Sequence, residues 1–407
     1  MGLAIRLGLI HALIDAACAA ILYAEVVSDR LPNETLIALV LLYNSLAFGF
    51  QWLFGILADL RGAYRSTATI GALLVAAALV AAPLYPWTGA ALAGIGNACF
   101  HVGAGAVVLR QSYGRAAESG VFVGPGAIGL VAGLWLGFNS DLWRLPIFAL
   151  LVCSSLSLPY LMPSFSAPAV QRSRNTAPWL ALLVTLLLVS VAVRATIGGL
   201  LSGSWRTSAF AVFALAAAAL TGKCIGGLVS DRLGWRSSSV LALLLAAPLV
   251  AVGLQRFEAA LIGMLVFQFT MPVTLAAVYL ALPQRPGLAF GLPCLALLLG
   301  ALPGLTGILD PVAFKPLAAP LVLLSALMLF WGLGKFSGHR GKYRMNLIVW
   351  GVFSGLLLAT VALAGTAQYT YDGPSRSVQV QYDDGAISQH TCGALGAGHP
   401  PLVLWQP

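Results

Sequence analysis

The sequence predicts an all-α polytopic membrane protein: two six-helix bundles in tandem, followed by a thirteenth helix. Three observations predict it. First, the 407 residues are 59% hydrophobic and only 9% charged, with a mean hydropathy of +0.91, whereas a soluble globular chain carries about a quarter charged residues. Second, apolar runs of about 18 to 25 residues, each long enough to cross a hydrocarbon core of roughly 30 Å as a helix, recur along the chain. Third, one loop motif occurs twice, with six such runs separating its copies.

The runs are taken in order. Span one, near 5–26, contains LIHALIDAA, in which His11 and Asp15 stand at i and i+4 and so share a helix face. Asp15 interrupts the apolar stretch and a helical hairpin follows, which argues against a cleaved leader. Span two, near 35–58, holds Asn44 and runs into GILADLRGAYR. Span three lies near 67–85. Span four, near 88–110, holds GNACFHVGAGAVVLRQ, with Asn97 and His101 among small and apolar residues. Span five, near 117–139, has Gly120, Gly124, Gly129 and Gly133 at four- or five-residue steps. That spacing reads first as a close-packing face, and only second as a hinge at Pro125. Span six lies near 143–162.

PSFSAPAVQRSRNTAP then forms a polar, Pro-bearing linker over 163–178. Span seven, near 178–200, holds Arg194. Span eight, near 207–229, holds Lys223 and runs into GLVSDRLGWR. Spans nine to twelve lie near 237–254, 258–281, 288–307 and 316–335, and a thirteenth near 345–366. The expected units are bundles at 1–162 and 179–336, the linker, an additional helix within 337–369 and a tail at 370–407.

In the repeated loop, Gly55 or Gly227 precedes Asp59 or Asp231 by four residues; Gly62 or Gly234 follows, then Arg65 or Arg236. A carboxylate at a helix end can accept bonds from the free N–H groups that open a neighbouring helix, while Gly permits close approach and Arg supplies a basic anchor. These six residues are therefore expected to gate one face. The repetition implies two parallel six-helix halves, an arrangement found in one large class of transporters.

Fourteen of the 22 Lys and Arg residues fall on one side if the N-terminus is cytoplasmic, and five on the other. The net charge of +9 is thus read as membrane topology rather than as a nucleic-acid surface. An inner-membrane protein with an extracytoplasmic tail is expected. Five of the six Cys lie in spans and Cys392 has no partner, so neither a disulfide framework nor a paired metal spacing appears. His390, Cys392 and His399 in the Gly- and Pro-rich tail are read as no metal site, and no cofactor is expected. SVQVQY in that tail alternates as one short strand.

The paired loops resemble the signature loop of the major facilitator superfamily. Within it, LIHALIDAA, GIGNACFHVGA, GVFVGPGAIG and PQRPGLAFGL are similar to segments of the fosmidomycin resistance protein group, over roughly residues 5 to 335. The resemblance implies a proton-coupled secondary transporter working by alternating access. One departure stands out: the group continues Phe-His-Pro-Glu, whereas Val102 and Gly103 follow His101 here.

Ionisable groups at membrane depth are costly and are functional candidates by default. From a rise of ~1.5 Å per residue, Asp15, His101 and Lys223 lie about 12, 13 and 10 Å from the inner ends of their helices. Asp15, tuned by His11, is expected to carry the proton. His101, Arg194 and Lys223, with Asn44 and Asn97, are expected to bind a small solute, the three cationic groups favouring an anion. No nucleophile constellation, paired carboxylates or phosphate loop points to an enzyme. The second reading is a transport-dead scaffold or sensor subunit of a membrane complex, with the thirteenth helix docking on the bundle or on a partner subunit.

Overall fold

A computed structural model describes residues 1–27, 31–139, 141–165, 178–306, 314–334 and 336, together with strands at 367–372, 377–382 and 387–391. Twelve helices among these residues are long and apolar enough to cross a membrane. They are α1 (Gly2–Ala24), α2 (Glu34–Arg61), α3 (Tyr64–Ala81), α4 (Pro86–Gln111), α5 (Ala116–Phe138) and α6 (Arg144–Leu161). After the linker come α7 (Trp179–Ser204), α8 (Ala209–Leu233), α9 (Trp235–Gly253), α10 (Phe257–Ala281), α11 (Pro286–Leu305) and α12 (Lys315–Gly332). They match the first twelve expected spans in number and order. Most of the linker, 166–177, and the thirteenth span, 345–366, lie outside the described residues.

Two of the spans are interrupted. In α2 the backbone widens into a π-helical turn at Ser45–Gly49, and in α10 the helix breaks between Phe267 and Thr270. Such interruptions free backbone groups and mark places where a helix bends toward a site.

One apolar core is drawn mainly from α1 to α6 and a second from α7 to α12. The halves meet along α5, which packs on α1 of its own half and on α8 of the other, and along α11, which packs on α2 and α7. Within a membrane such contacts depend on close approach of backbones, because lipid tails are as apolar as the side chains they would replace. The glycines of α5 supply that approach. A Cβ on Gly129 would stand 2.1 Å from the Ala12 carbonyl oxygen, and one on Gly133 2.2 Å from that of Ala16. On the other side of α5, Gly120 abuts the Lys223 carbonyl at 2.2 Å and Gly124 the Cys224 sulfur at 3.0 Å by the same measure. The expected close-packing face is thus two faces, one for each neighbour. Gly129→Ala should cost about 1–3 kcal/mol through overpacking, read as a lower unfolding temperature in detergent; an unchanged temperature would remove this account of the α1–α5 contact.

The tail holds more strand than its sequence suggests. Ser377–Tyr382 is the expected strand, but it is the middle of a three-stranded antiparallel sheet with Ala367–Asp372 and Ile387–Thr391. Ala367–Asp372 alternates like the middle strand, a signal the sequence reading passed over, whereas Ile387–Thr391 does not, and there cross-strand pairing supplies what local pattern does not.

Candidate functional site

Four of the proposed site residues come together where α1, α4 and α5 meet. One helical turn separates His11 from Asp15, and His11 Nε2 lies 3.0 Å from Asp15 Oδ2. Likewise one turn separates Asn97 from His101. Asn97 Nδ2 donates to Asp15 Oδ1 at 3.1 Å, and His101 Nε2 stands 3.6 Å from the same oxygen. The two imidazoles meet edge to face, with their Nε2 atoms 2.7 Å apart. His11, His101 and Asn97 are buried, and the Asp15 side chain keeps 13% of its surface accessible.

The backbone settles the tautomers. His11 Nδ1 donates to the Phe122 carbonyl at 2.8 Å, and His101 Nδ1 to the Asn97 carbonyl at 2.9 Å. A carbonyl only accepts, so each Nδ1 carries its ring's proton and each neutral ring presents a lone pair at Nε2. Two such nitrogens and a carboxylate therefore converge. Only a proton or another cation held among them makes that approach favourable, since three acceptors alone repel.

Gly126 of α5 makes room for this convergence: a Cβ there would stand 2.5 Å from His11 Nε2 and 2.6 Å from Asp15 Oδ2. It was not among the residues singled out from sequence. A single Gly inside GVFVGPGAIG carries no signal separating a site glycine from a packing glycine.

Gly103, which follows Val102, is held against the backbone of a neighbouring helix. A Cβ on Gly103 would meet the Tyr64 carbonyl at 2.5 Å and the Ala68 nitrogen at 2.6 Å. That face of α4 is packed onto α3, away from Asp15.

Lys223 and Arg194 differ from the four. Lys223, on α8, is 5% exposed and lies within electrostatic reach of Asp15 across the boundary between the halves. Among the described residues no hydrogen bond or ion pair reaches its ammonium. Arg194 does not join the cluster. Its guanidinium is buried between α7 and α10, donating to the hydroxyls of Thr270 and Thr274, the latter at 2.9 Å, and to the Ser190 carbonyl at 3.2 Å. The threonines open the second segment of the broken α10, and sequence reasoning passed over them because Thr in an apolar run reads as helix packing. No carboxylate pairs with Arg194 among the described residues. Asn44 precedes the π-helical turn and spends its amide on the Val40 carbonyl of its own helix, 2.8 Å away. Its expected place beside a solute is therefore filled by a local bond in this conformation.

The repeated loops form two latches between the halves. Asp59 accepts from the backbone N–H groups of Gly287 and Leu288 at 2.8 and 2.9 Å, and from the Tyr64 hydroxyl at 2.9 Å. Asp231 accepts from Ala116 and Ala117, both at 2.9 Å, and from Trp235 Nε1 at 2.9 Å. Each carboxylate thus caps the N-terminus of a helix in the opposite half: α11 for Asp59, α5 for Asp231. The local sequence prepares both partners. Pro286 opens α11, leaving the next N–H groups without intrahelical acceptors, and Ala116 opens α5. Gly62, at φ 62°, and Gly234, at φ 95°, turn the chain after each Asp-bearing helix in a region that side chains avoid. The arginines behave differently from the acids. Arg236 stacks its guanidinium 3.6 Å from the centre of the Phe330 ring of α12, and neither it nor Arg65 pairs with a latch carboxylate among the described residues. All four loops involved join an even-numbered span to an odd-numbered one, so both latches close the same end of the bundle.

No protein-family profile and no curated protein sequence matches the chain. Solved structures do. FucP, described as a major facilitator superfamily transporter in the outward conformation, is 14% identical with a TM-score of 0.55, covering 80% of this chain and 98% of that one. A variant of the Escherichia coli fucose:proton symporter FucP is 14% identical with a TM-score of 0.58, covering 83% and 98%. The human organic anion transporter MFSD10 (TETRAN) is 16% identical with a TM-score of 0.53, covering 89% and 98%. The fold is that of the major facilitator superfamily transporters, and the chain is a multi-pass membrane protein.

Proposed function

We propose that the protein is a proton-coupled secondary transporter that moves a small organic anion by alternating access. The observation that carries this reading is the pair of carboxylate latches, which join the two halves at one end through bonds that a rocking motion can break and remake. Within the N-terminal half, where α1, α4 and α5 meet, lies a buried group able to hold a proton, the His11–Asp15–His101 cluster with Asn97 beside it. A proton there changes the charge where α1, α4 and α5 meet, and so can bias the balance between two packings of the bundle. One of the structural neighbours is a proton symporter and another an organic anion transporter, and both chemistries fit the residues present.

The anion follows from charge. Lys223 and Arg194 are buried cations that no carboxylate contacts among the described residues, whereas Asp15 is engaged by His11, His101 and Asn97. A solute carboxylate would supply the missing countercharge. Topology supplies the direction of the latches: with the N-terminus cytoplasmic in an inner membrane, as the Lys and Arg distribution favours, the described state is closed toward the cytoplasm. The likeness of His11, Asp15, Phe100 and His101 to the fosmidomycin resistance group implies a proton-coupled secondary transporter and favours neither efflux nor uptake. Residues 1–162 and 179–336 are the two moving units in this account.

The test is a thermal-shift screen of small organic anions against neutral analogues on the purified protein, followed by uptake of the hit into proteoliposomes. Anions should stabilise selectively, and Lys223→Gln should weaken the hit about 10- to 100-fold, the worth of one charge-assisted bond of about 1.5–3 kcal/mol. A hit that binds yet is never taken up would favour the scaffold or sensor reading instead, in which a partner subunit docks on the thirteenth helix.

A further inference from the structure

We propose that His11 Nε2, His101 Nε2 and an oxygen of Asp15 form a binding site for a divalent transition-metal ion of the class that takes nitrogen and oxygen ligands, such as Zn2+ or Co2+. The three residues offer ligand atoms that all lie within 4.8 Å of one another. Two of them stand at i and i+4 on one helix face, the spacing at which a helix presents paired ligands to one ion. Three protein ligands leave a further position for water or a solute carboxylate.

What distinguishes the cluster from a chance gathering is its outer shell. A ligating imidazole nearly always donates its other ring N–H to a carbonyl or carboxylate, and a ligating carboxylate is itself held by a hydrogen bond. Both rings meet the first condition, through Phe122 and Asn97, and Asp15 meets the second through the Asn97 amide. Gly126 lets the His11 and Asp15 ligand atoms lie directly against the α5 backbone, where a Cβ would stand 2.5 Å from His11 Nε2 and 2.6 Å from Asp15 Oδ2. At a bond length of ~2.0–2.1 Å to each nitrogen and a tetrahedral angle, the two Nε2 atoms would sit roughly 3.3 Å apart. They are 2.7 Å apart here, so small side-chain rotations admit the ion. Lys223 is the charge that opposes it, from across the boundary between the halves.

The inference rests on the geometry of the cluster and not on transport, so it is tested in detergent without a solute. Co2+ is added to the purified full chain in which His339, His390 and His399, the remaining three of its five His, are replaced by Ala. A saturable visible absorption band with one ion per chain is expected. His101→Gln and Asp15→Asn should abolish it, Asn97→Ala should weaken binding about 10- to 100-fold, and Gly126→Ala should weaken it with every ligand still present. No band, or a band indifferent to His101→Gln and Gly126→Ala, overturns the proposal and leaves a proton as the only cation the site holds. Should those variants fail to fold, the wild-type chain decides: Zn2+ must protect His11 and His101 from carbethoxylation, mapped by mass spectrometry, and absence of protection overturns the site. An uptake assay that fails leaves this result standing, and a missing metal leaves the transport reading standing.

Discussion

Replacing Asp15 with Asn is expected to uncouple accumulation of the solute from the proton gradient while leaving downhill exchange in place. The side chain keeps its size and one oxygen, so Asn97 retains an acceptor, but the negative charge between two imidazoles is gone. Without it, a proton placed on either ring is left in a buried position with no countercharge, and the protonated state becomes costly. Site-to-site couplings of about 1–3 kcal/mol correspond to roughly 5- to 150-fold, so gradient-driven accumulation should fall by about that factor. The measurement is uptake into proteoliposomes with and without an imposed pH difference, beside counterflow exchange at equal pH. If the variant still accumulates solute in response to the gradient, Asp15 is not the coupling acid. His101→Gln should follow the same pattern, because its Nε2 meets both His11 and Asp15 in the structure, whereas the sequence reading had it among the solute contacts.

The second large effect concerns the latches. Asp59→Ala removes an acceptor for three donors at once, the N–H groups of Gly287 and Leu288 and the Tyr64 hydroxyl. Bonds to charged groups contribute about 1.5–3 kcal/mol each when buried, less where water replaces them. Taking one such bond as the net loss, the balance between closed and open at this end should move about 10- to 100-fold. Asp231→Ala, which frees Ala116, Ala117 and Trp235, should do the same, and the double variant should leave this end mostly open. Spin-label distances between the α4–α5 and α10–α11 loops should lengthen stepwise from wild type through single to double variant. Distances that stay at the wild-type value would mean the carboxylates brace the helices without gating them. Asp59→Asn retains an oxygen and should fall between.

The latches were legible in sequence because the motif is local and repeated: a carboxylate, a glycine and a helix end within eight residues, twice. Their partners were less so. PQRPGLAFGL was noticed as a segment, but nothing in it names Asp59 as its contact, since 228 residues of chain separate that Asp from Gly287. The cluster was legible in part. His11 and Asp15 announce themselves as a pair by helix geometry, and His101 by its depth. That His101 meets His11 directly, and that Asn97 holds Asp15, depends on how α4 rotates against α1. α4 is seated on α3 by glycine contacts such as Gly71 on Phe100 and Gly96 on Val75, which carry no directional signal in the sequence. Arg194 went the other way: its charge within a span made it a solute contact beside His101 and Lys223, and the break in α10 placed two hydroxyls beside it instead.

By itself, then, the sequence determined the class of protein, the number and order of the twelve described helices, and the repeated motif whose carboxylates bond to helix N-termini across the halves. Those follow from hydropathy, periodicity and helix-end chemistry, which act over one or two turns. Only the tertiary structure decided which buried polar groups touch. Contacts across a membrane bundle are fixed by the rotation of each helix about its axis, and a rotation of one residue's arc would part the four polar side chains.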